Sequence, residues 1–237
     1  MADAAGPVLP NYGQASSCVT GNHVFCWSWV RQHWGDTLEP HLVQHVELTL
    51  IAVSIGFVLA FSLAVAAHRV RALDQPFAIA AALIYTIPSI AAFMILLPLY
   101  GLSNTTVAIP LTGYSLVLLY PNILAGLRAA PPDVLEAARG MGFSRRQTLL
   151  RVELPLAIPA IIGGLRIAVV STVSIGTIAA LIGDRGLGYP ILIALQNPTP
   201  FKTEIYAAGF LVVALALTCD LVLVTLRRML VPWTRVR

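Results

Sequence analysis

The chain has 237 residues, of which 57% are hydrophobic and only 11% are charged. Soluble domains carry about a quarter charged residues, so this composition excludes a soluble globular protein. In a bilayer, backbone polar groups must bond within the protein, and the long unbroken apolar runs favour helices over a closed barrel. The net charge of +4 comes from basic residues beside those runs, which indicates membrane topology rather than a nucleic-acid partner.

Residues 1–42 form an arm that precedes the apolar runs, and we expect no signal peptide in it. Its segment 23–34 holds three of the four tryptophans, and aromatic rings favour the headgroup level of a membrane. We therefore predict a short amphipathic helix on the outer surface; a partner-binding or disordered arm is the alternative. Cys18 and Cys26 can form a disulfide if the arm faces an oxidising compartment, and two free thiols are the other possibility.

Five apolar stretches reach the length of about 20 residues that a helix needs to cross the hydrocarbon. They predict an all-α membrane protein with transmembrane helices at about residues 46–67, 77–100, 105–127, 158–182 and 205–226. Residues 43–230 would form one transmembrane domain, followed by a tail at 231–237. Prolines within the second and third stretches, Pro88, Pro110 and Pro121, predict kinks in those helices.

The basic residues are unevenly divided between the two sides of this predicted bundle. Eleven arginines lie on one side: Arg69, Arg71, Arg128, Arg139, Arg145, Arg146, Arg151, Arg227, Arg228, Arg235 and Arg237. Three basic residues, Arg31, Arg185 and Lys202, lie on the other. Because loops rich in lysine and arginine stay in the cytoplasm, we predict that the amino terminus is outside and the carboxyl terminus inside.

Polar residues gather around the predicted kinks and in the fourth span. Together with Pro88 at one of the kinks, they predict a path for a solute. The residues of this path are Tyr85, Thr86, Pro88, Ser89, Tyr120, Asn122, Ser171 and Ser174. Polar groups at broken backbone need water or protein around them, which favours a wet passage. The alternative is that these side chains bond their own helices or hold helices together. If the solute is a quaternary ammonium, Tyr85 and Tyr120 are the best aromatic partners for it.

Two charged residues, Arg166 and Asp220, fall inside the predicted fourth and fifth spans at similar depth. Charges within the membrane usually pair or face water, so we predict an ion pair between them; separate snorkelling to the interface is the alternative. All five histidines precede residue 69, and His41 and His45 are spaced i, i+4 without an evident third ligand. We therefore predict interfacial histidines and no metal site. No P-loop, HExxH or GxSxG motif is present, so an enzyme is not expected.

The segment between the third and fourth spans, residues 131–155, is here called the elbow. Pro131-Pro132 and two acidic residues, Asp133 and Glu136, indicate a helix start, since carboxylates favour that end of the helix dipole. Gly142 would end this helix, and Ser144 would cap a second one running to Val152. Leu154-Pro155 would then turn the chain back into the membrane. A plain solvated loop is the alternative.

The elbow resembles the EAA loop of the membrane permeases of bacterial ABC importers. The shared pattern is Glu136-Ala137-Ala138, three residues, Gly142, nine residues, Val152, one residue and Leu154-Pro155, with valine where isoleucine is usual. The resemblance implies a coupling helix that docks in a groove of a separate ATPase. The coupling residues it implies are Glu136, Ala137, Ala138, Arg139, Gly140, Gly142, Arg145, Leu154 and Pro155.

A second resemblance is to the osmoprotectant subfamily of these permeases, over about residues 43–230. It rests on Tyr85–Ser89 with Leu97–Leu102, on Val152–Ala157, and on Ala179–Gly183 with Gly186–Gly188. It implies import of glycine betaine, choline, carnitine or proline-like solutes. The chain departs from the subfamily at Asp184-Arg185, where small residues are more typical, and residues 1–42 fall outside the match.

The resemblances imply a multi-pass permease in a bacterial cell membrane, surrounded by the lipid bilayer. Its implied partners are a pair of ATP-binding subunits at the elbow, a second copy or a related permease, and an extracytoplasmic solute-binding protein. No cofactor is expected on this chain, since ATP and magnesium would be bound by the partner ATPase. The alternatives are an importer of another small solute, such as an amino acid or a sulfonate, and a channel or assembly factor without an ATPase.

Overall fold

The computed structural model describes residues 17–231, and this part of the chain is helical with no strand. Residues 1–16 of the predicted arm and 232–237 of the predicted tail lie outside the described residues. The α-helices are α1 Ser17–Thr20, α2 Trp27–Gln32, α3 Glu39–Arg69, α4 Asp74–Thr86, α5 Ser89–Tyr100, α6 Asn104–Arg128, α7 Pro132–Gly140, α8 Arg145–Thr148, α9 Leu154–Gly176, α10 Gly188–Gln196 and α11 Lys202–Leu230.

Two π-helical turns and two 3-10 segments join these helices. The π turns are Trp34–Leu38, which leads into α3, and Leu149–Glu153, which joins α8 to α9. The 3-10 segments are Arg71–Leu73, before α4, and Thr177–Ile182, after α9.

The centre of the molecule is a bundle of α3, α6 and α9, with α11 packed on α9 and α10 on α11. The small residues Ala60, Ala64 and Ala67 give α3 a flat face that receives the bulkier Leu119 and Ile123 of α6. Small side chains let helix backbones approach closely, which replaces the hydrophobic driving force that is missing in lipid.

Within residues 17–231, four helical stretches are long and apolar enough to cross a membrane: Trp34–Arg69, Asn104–Arg128, Arg145–Ile182 and Lys202–Leu230. A fifth crossing is possible if the bent pair Arg71–Thr86 and Ser89–Tyr100 counts as one span. The prediction of an all-α protein with about five spans is thus confirmed.

The second predicted span is not the single kinked helix that the sequence suggested. Its two halves, α4 and α5, meet at 90°, with Ile87 extended between them at ψ 121°. The reason is Pro88, whose ring disfavours helical geometry at the preceding residue. The carbonyl of Ile87, freed by the break, accepts a hydrogen bond from the hydroxyl of Tyr114 on α6. In contrast, α6 continues unbroken through Pro110 and Pro121.

The sequence also predicted a turn at Leu154-Pro155, and the structure has none there. The helical stretch from Arg145 to Ile182 is continuous, with Pro155 in the first turn of α9. The π-helical turn Leu149–Glu153 directly precedes Pro155, and such local adjustments let a membrane helix accommodate proline.

Candidate functional site

The elbow begins with α7, whose carboxyl end is closed by a Schellman motif. The amide of Phe143 donates to the carbonyl of Ala138 at 3.1 Å, and the amide of Gly142 donates to that of Arg139 at 2.9 Å. Gly142 has φ +80°, a conformation that glycine adopts without steric cost. Gly142 therefore ends the helix as predicted, and it fixes the direction in which the chain leaves α7.

The second part of the elbow starts at a reciprocal cap. The amide of Gln147 donates to Ser144 Oγ at 3.3 Å, and the amide of Ser144 donates to Gln147 Oε1 at 2.8 Å. This capping box satisfies two amides that a helix start otherwise leaves free. Farther on, Glu153 Oε2 lies 2.9 Å from His68 Nε2 at the end of α3. The elbow is thus bonded within itself and tied to the bundle.

The tip of the elbow is exposed. Of the predicted coupling residues, Glu136, Ala137, Arg139, Gly140, Gly142 and Arg145 are exposed. Ala138 is buried, and Leu154 and Pro155 are half-buried at the base. Met141, a residue that the sequence pattern did not single out, lies at the tip and is 67% exposed. A rigid tip with small side chains and an exposed methionine is suited to fit a groove in another protein.

The eight residues predicted for a solute path divide among separate places. Tyr85, Thr86, Pro88 and Ser89 lie at the break between α4 and α5, where Tyr85 is 60% exposed. Thr86 Oγ1 donates to the carbonyl of Leu83 at 2.7 Å, so this hydroxyl bonds its own helix. Ser174 is exposed on α9, and its Oγ donates to the carbonyl of Val170.

Tyr120 belongs to a polar cluster between α4 and α6. Its ring is only 3% exposed and meets Phe77 edge-on, with ring centroids 6.2 Å apart. Its hydroxyl donates to Asp74 Oδ1 at 3.3 Å, and Arg128 Nη1 donates to Asp74 Oδ2 at 2.6 Å. The three polar groups join the ends of α4 and α6 and border a cavity of about 500 Å³. The sequence analysis counted Arg128 only toward the membrane orientation and did not consider Asp74, so this cluster was missed.

A second cavity of about 590 Å³ brings together four residues that the sequence singled out. Asn122 of α6, Arg166 and Ser171 of α9, and Asp220 of α11 all border it. Arg166 donates through Nε to Asp220 Oδ1 at 2.7 Å and through Nη2 to Oδ2 at 2.9 Å. Two parallel hydrogen bonds between a guanidinium and a carboxylate hold both groups in one plane.

At the opposite end of the bundle from the elbow, α3 holds the glycine-rich loop 183–188. Gln44 Oε1 accepts from the amide of Gly186 at 2.7 Å, and His41 Nε2 lies 2.7 Å from Asp184 Oδ1. His45 is buried; its Nδ1 accepts from the amide of Leu187 and its Nε2 bonds the carbonyl of Val173, both at 3.1 Å. The prediction of an interfacial His45 was wrong. The feature of the sequence that could have indicated its contact with the loop is the helix face that it shares with His41.

The described part of the arm, residues 17–42, packs on this same end. Cys18 and Cys26 are joined in a disulfide, and Trp29 of α2 is buried against Phe201, with ring centroids 5.3 Å apart. The side chain of Asn22 accepts from the amide of Lys202 and donates to the carbonyl of Pro200, both at 3.0 Å. The Trp-rich segment is therefore attached to the start of α11.

Curated relatives resemble most of the chain. The osmoprotectant import permease protein OsmW of Salmonella typhimurium is 36% identical over 195 residues, which cover 80% of this chain and 89% of that protein. The choline transport system permease protein OpuBB of Bacillus subtilis is 31% identical, over 84% of this chain and 90% of that protein. The glycine betaine/carnitine/choline permease OpuCB of the same organism is 30% identical, over 80% and 86%.

Among solved structures, an inward-facing form of the MetNI methionine ABC transporter has a chain that superimposes with a TM-score of 0.73. The match covers 84% of this chain and 98% of that chain at 19% identity, and so it shows a shared fold. The sequence profile of the binding-protein-dependent transport system inner membrane components matches residues 52–236. The chain therefore belongs to the family of inner membrane components of binding-protein-dependent transport systems.

Proposed function

We propose that this chain is the permease subunit of an ATP-driven importer of compatible solutes such as glycine betaine, choline, carnitine or proline. The observation that carries the proposal is the elbow, an exposed helix tip that is capped at both joints and bonded to the bundle. A rigid helix tip of this kind can transmit a movement of the ATPase to the helix bundle, whereas a mobile loop could not. The solute class is supported by the relatives, whose names specify osmoprotectants, choline, glycine betaine and carnitine.

In this proposal the elbow lies in the cytoplasm and docks on one of two ATP-binding subunits, which bind ATP and magnesium. The excess of arginine on the elbow's side supports that orientation. The disulfide at the opposite end supports it as well, because disulfides persist in oxidising compartments outside the cytoplasm. A second copy of the chain, or a related permease, would complete the passage. A solute-binding protein would deliver cargo at the end that carries the arm and the loop 183–188.

Charge reversal at the exposed tip tests this coupling. With Glu136→Arg, we expect the ATP-binding subunit to be lost from the purified complex. A groove that receives a carboxylate would repel the positive guanidinium or be too small for it. Gly142→Asp should act in the same direction, since it places a side chain at φ +80°. The measurement is the ratio of ATPase to permease after affinity purification through the permease.

The matched control is Glu39→Arg, which makes the same charge reversal at an exposed site in the first turn of α3, away from the elbow. That variant should retain the ATPase at the wild-type ratio. If Glu136→Arg also retained it, or if the wild-type chain moved solute without nucleotide, the proposed coupling would be wrong.

A further inference from the structure

The cavity bordered by Asn122, Gly163, Arg166, Ser171 and Asp220 lies within the bundle, nearer the ends of α6 and α11 than their starts. Arg166 is twelve residues from the start of α9 at Leu154 and ten from its end at Gly176, about 18 and 15 Å at 1.5 Å per residue. Asp220 is eighteen residues from the start of α11 at Lys202 and ten before its end at Leu230, about 27 and 15 Å. Both charges therefore lie several turns from the helix ends, inside the apolar stretches.

Both charged side chains are partly open to this cavity, with exposed fractions of 35% for Arg166 and 28% for Asp220. Charged groups at such depth are almost always directed to a protein interior or a water-filled space rather than to lipid. The face of α9 and α11 that carries them therefore lines a polar compartment. Its volume, about 590 Å³, is within the range of small-molecule sites.

The pair does not use all of its bonding capacity. Arg166 reaches Asp220 through Nε and Nη2, and its Nη1 has no hydrogen-bonding partner among the described residues. The same holds, within residues 17–231, for the hydroxyl of Ser171 and for the amide oxygen of Asn122, whose Nδ2 donates to the carbonyl of Leu118 at 2.8 Å. The cavity thus offers donors at Arg166 and Ser171, and acceptors at Asp220 and Asn122.

This arrangement complements a small molecule that carries both charges. We infer that the cavity is a transient solute site for a zwitterion, in which the solute's carboxylate is received by Arg166 and Ser171 and its ammonium lies beside Asp220 and Asn122. The inference rests on the proposed import function and narrows its substrate to zwitterions over simple cations. Ile167 and Val170 on the same wall are suited to contact the methyl groups of a quaternary ammonium.

A solute that carries both charges enters this site without leaving either protein charge uncompensated. A simple cation would be drawn to Asp220 but repelled by Arg166, and a simple anion would meet the reverse. Because unpaired charge in a low-dielectric site is costly, selectivity for the zwitterion follows from the pair itself. The bidentate pair keeps the empty site neutral, so cargo is held weakly enough to leave.

The first test fills the cavity. A Cβ added at Gly163 meets no atom within 4 Å, so Gly163→Leu extends a side chain from open space at the cavity wall. The matched control is Gly209→Leu, since Gly209 on α11 has the same open surroundings and does not border the cavity. The assay is uptake into proteoliposomes that contain the ATPase and the binding protein. We expect Gly163→Leu to lower uptake of glycine betaine about tenfold or more, the size of losing one charge-assisted hydrogen bond to the solute. The control should transport normally.

The second test reads charge selectivity without the binding protein. Saturation-transfer difference NMR on the permease–ATPase complex would compare glycine betaine with choline, which lacks the carboxylate, and with 3,3-dimethylbutyrate, which lacks the cationic nitrogen. The wild type should give the strongest signal with glycine betaine. The double variant Arg166→Gln/Asp220→Asn removes both charges together and leaves neither one unpaired. It should lose that preference among the three probes.

The outcomes separate the two proposals. If Gly163→Leu transports glycine betaine like the control, or if the double variant keeps the preference for the zwitterion, the inference is overturned while import stands. If Gly163→Leu fails to assemble with a second permease or with the ATPase, the cavity is an interface and the inference is likewise overturned. If the wild-type complex shows no ATP-dependent uptake of any solute in the panel, the proposed function itself fails.

Discussion

His45 and Gly186 meet at the point where the loop 183–188 is held against α3. Gly186 has φ +55°, and a Cβ added there would lie 2.8 Å from His45 Nδ1. That nitrogen accepts the amide of Leu187, so its position is fixed by a bond as well as by packing. A side chain at this glycine would therefore disturb both the backbone and the histidine.

We expect Gly186→Ala to lower the free energy of unfolding of the purified protein by about 1–3 kcal/mol, because of backbone strain together with the contact on His45. Gly142→Ala is the control, because Gly142 also has a positive φ, +80°, but has open space around it. The melting temperature of Gly186→Ala should fall below that of Gly142→Ala. Equal melting temperatures would show that strain alone acts and that the histidine contact contributes nothing.

At the scale of elements, the crossing of α6 and α9 depends on glycines that admit the neighbouring helix. A Cβ on Gly126 would lie 2.9 Å from Ala160 Cβ and 3.1 Å from the carbonyl oxygen of Ala157. On the other side of the same pair, Asn122 of α6 closes on Gly164 of α9, where an added Cβ would lie 2.7 Å from Asn122 Cβ. The two helices interlock through these small residues.

Gly126→Leu should separate the two helices and destabilise the protein by about 1–3 kcal/mol or more, the size of an overpacked core. The yield of folded permease should fall, because α9, which carries Arg166 and continues from the elbow, would lose its packing on α6. Fluorescence-detected size exclusion in detergent measures that yield. Gly209→Leu, on a helix with open surroundings, should leave it unchanged; an equal loss there would mean that any leucine at a helix glycine is harmful.

For the whole molecule, the proposed orientation places the elbow and the disulfide on opposite sides of the membrane. The prediction adds one cysteine at a time to a Cys219→Ser background that keeps the Cys18–Cys26 disulfide. The added cysteines are Met141→Cys at the elbow tip and Gln196→Cys at the end of α10. A membrane-impermeant maleimide should label Gln196→Cys in intact spheroplasts, and Met141→Cys only after permeabilisation. Cys18 and Cys26 should react only after reduction, because they are bonded to each other. Labelling of Met141→Cys from outside would reverse the orientation.

Residue signals that depend on local chemistry were read correctly from the sequence. Gly142 ends α7 in the left-handed conformation, and Ser144 caps α8, because both effects are decided by the four or five residues around them. The long apolar runs predicted the helical class, since the bilayer leaves few other ways to satisfy backbone polar groups. The matched depths of Arg166 and Asp220 were likewise visible, since helical rise alone sets depth along a span.

Contacts between distant elements could not be read in this way. The 90° break at Pro88 requires Tyr114 of α6 to bond the freed carbonyl of Ile87, and the burial of His45 requires loop 183–188 to return to α3. Tyr120 and Asn122 are two residues apart, yet the first borders the cavity beside α4 and the second the one beside α9. The sequence by itself determined the helical membrane class, the elbow's caps and the charged pair's depth. Only the tertiary structure decided which side chains share a cavity, because helix rotation and crossing are set by the packing of all the neighbours together.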